Sequence, residues 1–127
     1  MAAKANIILL IEDSQSTRFM YRSILDKAGF FVMEADSGEQ GLTMVKQHPP
    51  DLVILDLILP GLPGIEVLRK IRAHSPTRFT PVLVLTNVKD EENKQKALSS
   101  GANYFANKES VTDQHILKIV NDLLGIR

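Results

Sequence analysis

Three stretches of this chain are short and apolar at every position: IILLI over residues 7–11, LVIL over 52–55 and VLVL over 82–85. A strand with one wet face alternates polar and apolar residues, because successive side chains point to opposite sides of the sheet. Runs of Val, Ile and Leu that do not alternate belong to strands covered on both faces. Such strands are typical of parallel sheets, whose connections must cross over through helices. FVMEA (31–35) and YFAN (104–107) are candidates for two further strands.

Helical spacing fills the gaps. Residues 16–28 carry Met20, Ile24 and Ala28 one turn apart and stop at Gly29, a residue suited to the position just past a helix end. Residues 37–48 open with Ser37 and Gln40 at capping-box spacing and end at Pro49-Pro50. Residues 63–74 place Ile65, Leu68 and Ile71 on one stripe, and residues 90–100 open on Asp90 and close on Gly101. That fourth helix is polar, with only Ala97 and Leu98 apolar, so it is expected to be loosely held. Residues 112–124 form a last helix with a broad apolar face. That face either sinks into the sheet or leaves Ile116 or Ile119 at an interface.

Strand and helix thus alternate five times. The expected architecture is an α/β three-layer sandwich, with a five-stranded parallel sheet of order 2-1-3-4-5 and five helices, the flavodoxin-like arrangement. One domain is expected over residues 1–127, with no output domain in this chain. Fifteen basic residues balance fifteen acidic ones, so no net field draws the chain to nucleic acid or an anionic membrane. There is no cysteine, which excludes disulfides, thiolate zinc sites and cysteine nucleophiles. The apolar run 7–11 is too short for a signal peptide and nothing reaches the length of a membrane span. A cytoplasmic location is expected.

In an open parallel sheet, ligands bind outside the carboxyl ends of the strands. Glu12 and Asp13 follow the first apolar run, Asp56 the third, Thr86 and Asn87 the fourth, and Lys108 the last strand. Three carboxylates, a hydroxyl and an ammonium should therefore share one rim. Two carboxylates about 4 Å apart repel by roughly 4 kcal/mol at an effective dielectric near 20, so either some are protonated or a cation sits among them. Oxygen ligands without His or Cys favour a hard ion such as Mg²⁺. Lys108 and Thr86 would complete a phosphate pocket, and an aspartate can itself attack phosphorus.

Four segments resemble the receiver domains of bacterial two-component response regulators, the chemotaxis regulators among them. LLIEDSQSTR looks like the acidic-pair segment and LVILDLILPGLPGIEVL like the phosphoacceptor segment. VLVLTN is similar to the switch-threonine strand, and GANYFANK to the segment bearing the family's lysine. The resemblance implies a signalling switch, not a conventional enzyme, with Asp56 accepting a phosphoryl group from a histidine kinase or phosphotransfer protein. It implies Mg²⁺ or Mn²⁺ held by Glu12, Asp13, Asp56 and the backbone carbonyl of Ile58. Lys108 and Thr86 would contact the phosphoryl oxygens, and Phe105 would stand as the switch aromatic. The readout would be a changed surface on the fourth helix, fifth strand and fifth helix. That surface would be offered to a downstream effector, an output domain outside this chain or a second copy of it; no direct contact with nucleic acid or membrane is implied.

Some positions depart from the family. Glu12 stands where Asp is commoner, which suggests contact with the ion through water. Asn87 takes a place that is usually small, where it would crowd the phosphate pocket. Glu109 follows Lys108 where proline is typical, so a cis bond is not expected there. Ile58 and Val88 flank the path of an attacking water, and neither can orient it, so slow autodephosphorylation is expected. Other readings fit less well. A haloacid dehalogenase-type enzyme needs a second acid at Ile58, a P-loop nucleotidase needs a glycine-rich loop ending in Gly-Lys-Ser/Thr, and an FMN phosphate loop would not open on two acids. A receiver used as a protein-interaction module without phosphorylation is the alternative. His48, His74 and His115 are read as surface residues, and Arg18 and Arg22 either as a solvated helix face or as kinase contacts.

Overall fold

A computed structural model of the chain describes residues 5–126; the first four residues and the last of the expected domain 1–127 lie outside it. Five strands, β1 (Ile7–Ile11), β2 (Phe31–Ala35), β3 (Leu52–Leu55), β4 (Val82–Thr86) and β5 (Tyr104–Asn107), pair in parallel in the order β2-β1-β3-β4-β5. The crossovers are α1 (Gln15–Lys27), α2 (Gly38–Gln47), α3 (Gly64–Ala73) and α4 (Glu91–Ser99), and α5 (Asp113–Leu124) closes the chain. The expected architecture and strand order are what the structure has.

Strand side chains alternate between two cores. Ile8, Leu10, Leu52, Ile54, Leu83 and Leu85 pack with Tyr21 and Leu25 of α1 and Ile116, Ile119 and Val120 of α5. Leu9, Ile11, Val53, Leu55, Val82 and Val84 pack with Val45, Val67, Leu68, Ile71 and Ala97 of α2, α3 and α4. Both faces of β1, β3 and β4 are thus covered, which is why their sequences do not alternate. Burial of both Ile116 and Ile119 takes these two side chains out of any interface: the broad apolar face of α5 is the width of a helix sunk between α1 and the sheet.

Four helices begin on a side chain that accepts the backbone N–H three residues on: Ser14 from Thr17, Ser37 from Gln40, Asp90 from Asn93 and Thr112 from His115. Because Ser14 is the cap, α1 starts one residue earlier than its apolar pattern suggested; of the stripe Met20–Ile24–Ala28 only Ile24 packs against the core. Met20 is 49% exposed, Ala28 is exposed, and Tyr21 and Leu25 carry the buried face. The short 3₁₀ turn η1 (Ser75–Thr77) was not foreseen; the buried Thr77 hydroxyl donates to the Ile71 carbonyl at 2.9 Å and secures it. Among the described residues no helix is long and apolar enough to cross a membrane.

Candidate functional site

Backbone hydrogen bonds continue past the strand ends and hold the functional residues in register. Glu12 N donates to Ala35 O at 3.0 Å, Asp56 N to Ile11 O at 3.1 Å and Lys108 N to Thr86 O at 3.0 Å. Three residues from three loops therefore project from one rim with the stiffness of the sheet, and Asp13 follows Glu12 on the first of them. Gly64, at the start of α3, helps to set the loop after β3: a Cβ there would lie 2.5 Å from both Asp56 O and Leu57 Cα.

The partner of Asp56 is Lys108, 52 residues away in sequence. Its Nζ donates to Asp56 Oδ2 at 2.7 Å and also to Glu12 Oε1. Each carboxylate has a second, backbone donor: Ile58 N to Asp56 Oδ1 at 3.1 Å and Ser14 N to Glu12 Oε2 at 3.0 Å. Glu12 and Asp56 are 2% and 6% exposed, while Asp13 faces solvent. Burial pushes the Glu12 carboxyl above the ordinary carboxylate range, and the Lys108 hydrogen bond offsets this only in part. Burial alone would pull the Lys108 ammonium down, but its hydrogen bonds to Asp56 and Glu12 prevail and hold it above the usual lysine value.

Ligand oxygens of Glu12, Asp13 and Asp56 lie within 4.8 Å of one another. Three carboxylates against one ammonium leave a formal charge of −2. All the donors are oxygens, and one of the acids opens to solvent. A hard divalent cation fits that donor set, since Mg²⁺ favours few carboxylates and retains water or phosphate oxygens at its other positions.

The other expected residues border this cluster, and among the described residues none of their side chains bonds its carboxylates. Thr86 is fully buried; its Oγ1 accepts from Val88 N at 3.4 Å, and among the described residues it forms no hydrogen bond to the carboxylates. Phe105 is half-buried against the core on the α2, α3 and α4 face. Ile58 is 60% exposed, Val88 half-buried and Asn87 exposed at the rim. The Lys108–Glu109 peptide bond is trans, and Glu109 pairs with Lys89 across the mouth of the site at 2.5 Å.

Two residues of α1 were overlooked as parts of the site. Tyr21 lines its floor together with Leu10, Ile54 and Leu85, and burial pushes its phenol above the usual value. Arg18 donates through Nη1 to Glu12 O at 2.7 Å and through Nε to Glu34 Oε1 at 3.3 Å, while Arg22 pairs with Glu34 and Asp26. Arg18 is packed away from solvent, whereas Arg22 is exposed on the helix face as expected but paired with two acids. A charge inside the otherwise apolar FVMEA strand was the signal that a cation had to meet it.

Residues 8–121 match the family model of the response regulator receiver domain. The chain is 30% identical over 118 residues to the protein PilH of Pseudomonas aeruginosa, covering 93% of this chain and 97% of that one. It is 39% identical over 101 residues to the transcriptional regulatory protein AfsQ1 of Streptomyces coelicolor, covering 80% of this chain but only 44% of that regulator. The chain therefore spans nearly all of the first relative and less than half of the second. A putative response regulator from Chloroflexus aurantiacus superposes with a TM-score of 0.91 at 30% identity, over 96% of this chain and 99% of that one. The Vibrio cholerae chemotaxis protein CheY4 superposes with a TM-score of 0.89 at 29% identity, over 94% and 99%.

Proposed function

The chain belongs to the response regulator receiver family, and from that premise we propose that Asp56 accepts a phosphoryl group from a histidine kinase or phosphotransfer protein. Receiver domains are phosphorylation switches of two-component signalling, and their general chemistry sets the problem this site has to solve. The observation that carries the assignment is the Lys108 ammonium shared between Asp56 and Glu12, with Asp13 beside them.

A carboxylate oxygen of Asp56 attacks phosphorus as the P–N bond to the donor imidazole breaks. The bonding pair leaves with the ring nitrogen, which takes up a proton. A Mg²⁺ held by Asp13 and Asp56, with Glu12 reaching it through water and the Ile58 carbonyl as a further ligand, would neutralise the charge that gathers on the phosphoryl oxygens. Lys108 already touches the acceptor oxygen and needs only a small shift to pair with the new group. Thr86 now accepts a hydrogen bond from Val88 and has its hydroxyl proton to give. The phosphoryl group carries about −1.5 to −2 charges and three strong acceptor oxygens, so it draws that hydroxyl inward. The volume vacated behind Thr86 admits the half-buried ring of Phe105, driven by burial alone because the ring has no hydroxyl. A local charge change thereby alters the α4–β5–α5 face.

That face would be read by a downstream effector, by an output domain outside this chain or by a second copy, in the cytoplasm. Autodephosphorylation is slow, because Ile58 and Val88 offer an attacking water no polar partner. The test is to titrate Mg²⁺, add beryllofluoride as a phosphoryl mimic, and follow amide shifts. Shifts at Asp13, Asp56, Thr86 and Phe105 are expected. Unmoved Thr86 and Phe105 amides would replace the switch by the alternative, a receiver-fold interaction module that works without phosphorylation.

A further inference from the structure

Glu12 and Asp13 sit in the loop between β1 and α1, with a strong electrostatic reason to spread apart. Their carboxylates repel each other and Asp56, and Lys108 offsets this for Glu12 and Asp56 but makes no hydrogen bond to Asp13 among the described residues. The loop is nevertheless pinned at nearly every backbone group. Glu12 N donates to Ala35 O, Ser14 N to Glu12 Oε2 at 3.0 Å, and Arg18 N to Ser14 O at 2.9 Å. The two remaining carbonyls, those of Glu12 and Asp13, accept from one atom: Arg18 Nη1, at 2.7 and 3.4 Å.

Arg18 lies on the first turn of α1 and bends back over its own helix start. Its Nε is anchored on Glu34 of β2 at 3.3 Å, and Arg22, one turn further on, holds the other Glu34 oxygen. The side chain of Arg18 is 16% exposed against 46% for Arg22, so the first is packed into the loop and the second covers it. The fork geometry matters: a guanidinium serves two carbonyls and a carboxylate at fixed angles, which an ammonium on a flexible stem does not do.

We propose that Arg18 is a positioning residue that clamps the Glu12–Asp13 backbone, holding both carboxylates towards Asp56 for a divalent cation. This rests on the reading of the site as a Mg²⁺ site and deepens it. The sign of the effect separates it from the obvious rival. If Arg18 acted only as a nearby positive charge, removing it would tighten Mg²⁺ binding. If it positions, removing it loosens binding, because the acids then spread and must be gathered again.

The measurement is the Mg²⁺ dissociation constant of the full chain, from amide shifts of Asp13 and Asp56, alongside the melting temperature. Arg18→Gln is expected to weaken Mg²⁺ binding by about tenfold, the low end of what lost outer-sphere support does. Arg18→Lys should recover part of that loss, and Arg22→Gln should stay within about twofold of the wild type, since Arg22 does not reach the loop. Unchanged or tighter binding in Arg18→Gln overturns the proposal. Should Arg18→Gln fold poorly, Arg18→Lys decides alone: weaker binding at an unchanged melting temperature supports the clamp, and wild-type binding overturns it. A wild-type chain that binds no Mg²⁺ would instead refute the reading of the site itself.

Discussion

Two half-buried cations stand at opposite ends of the same sheet. Lys108, at the carboxyl ends of the strands, is shared by the carboxylates of Asp56 and Glu12. Arg72, at the amino ends, donates to the carbonyls of Gly101 at 2.8 Å and Thr80 at 2.7 Å and to Asn103 Oδ1 at 2.9 Å, with a longer bond to Thr77 O. Asn103 Oδ1 in turn accepts from Val82 N at 2.8 Å, so the network fastens the starts of β4 and β5. Burial lowers the Arg72 value, whereas the two carboxylates raise that of Lys108. The partners explain the difference in role. A carboxylate can exchange an ammonium for another cation, so Lys108 can be released; the neutral carbonyls of Gly101 and Thr80 bear no charge to draw a replacing ion, so Arg72 stays. One end of the sheet is built to change partners and the other to keep them.

The contrast breaks first at the acceptor. Asp56→Asn should abolish phosphoryl uptake from a small donor such as acetyl phosphate, read as the loss of the phosphorylated mass, while the amino end and the fold persist. An unreduced mass shift would move the acceptor elsewhere. Next, Arg72→Met should lower stability in urea by ~3 kcal/mol, because several carbonyls lose their donor at once, yet leave Mg²⁺ affinity as it was. A loss of affinity equal to the loss of stability would mean that the two ends are not separate.

Lys108→Met removes the competitor for the carboxylates, so Mg²⁺ should bind about tenfold tighter, ~1.4 kcal/mol, by calorimetric titration. The same variant carries a pH signature. The folded protein holds the Lys108 proton more tightly than the unfolded chain, so this stabilisation is complete below the unfolded value of 10.5 and fades as pH rises above it. Wild-type and variant melting temperatures should converge in that alkaline range. The smallest effect belongs to Glu109→Ala. The Lys89–Glu109 pair is more than half exposed on both sides, so its loss should change stability by less than about 0.5 kcal/mol and vanish in high salt.

Much of this was legible beforehand, for physical reasons that can be named residue by residue. Fully apolar runs located β1, β3 and β4, because a strand buried on both faces leaves no room for alternation. Ser37 and Asp90 marked helix starts, because their short side chains satisfy backbone N–H groups that helices leave free. What followed each strand marked the rim. The face of α1 was misread, since Met20 and Ala28 fit an apolar period as well as Tyr21 and Leu25 do, and only the angle at which the helix meets the sheet separates them. Arg72 carried no local signal, since its partners, the carbonyls of Gly101, Thr80 and Thr77 and the side chain of Asn103, come from segments that only the fold brings together.

The amino-acid order alone determined the alternation of strands and helices, the parallel sheet and the identity of the polar residues at its edge, because those follow from periodicity and from what can be buried. Tertiary structure alone decided the pairings. Lys108 meets Glu12 across 96 residues of sequence because the parallel order puts the carboxyl ends of β1 and β5 on one rim, with β3 and β4 between them. Arg18 meets Glu34 because α1 folds back beside β2. Charge attraction selects a partner only among groups the backbone has already brought within a few ångströms, so these contacts could not be read before the fold was known.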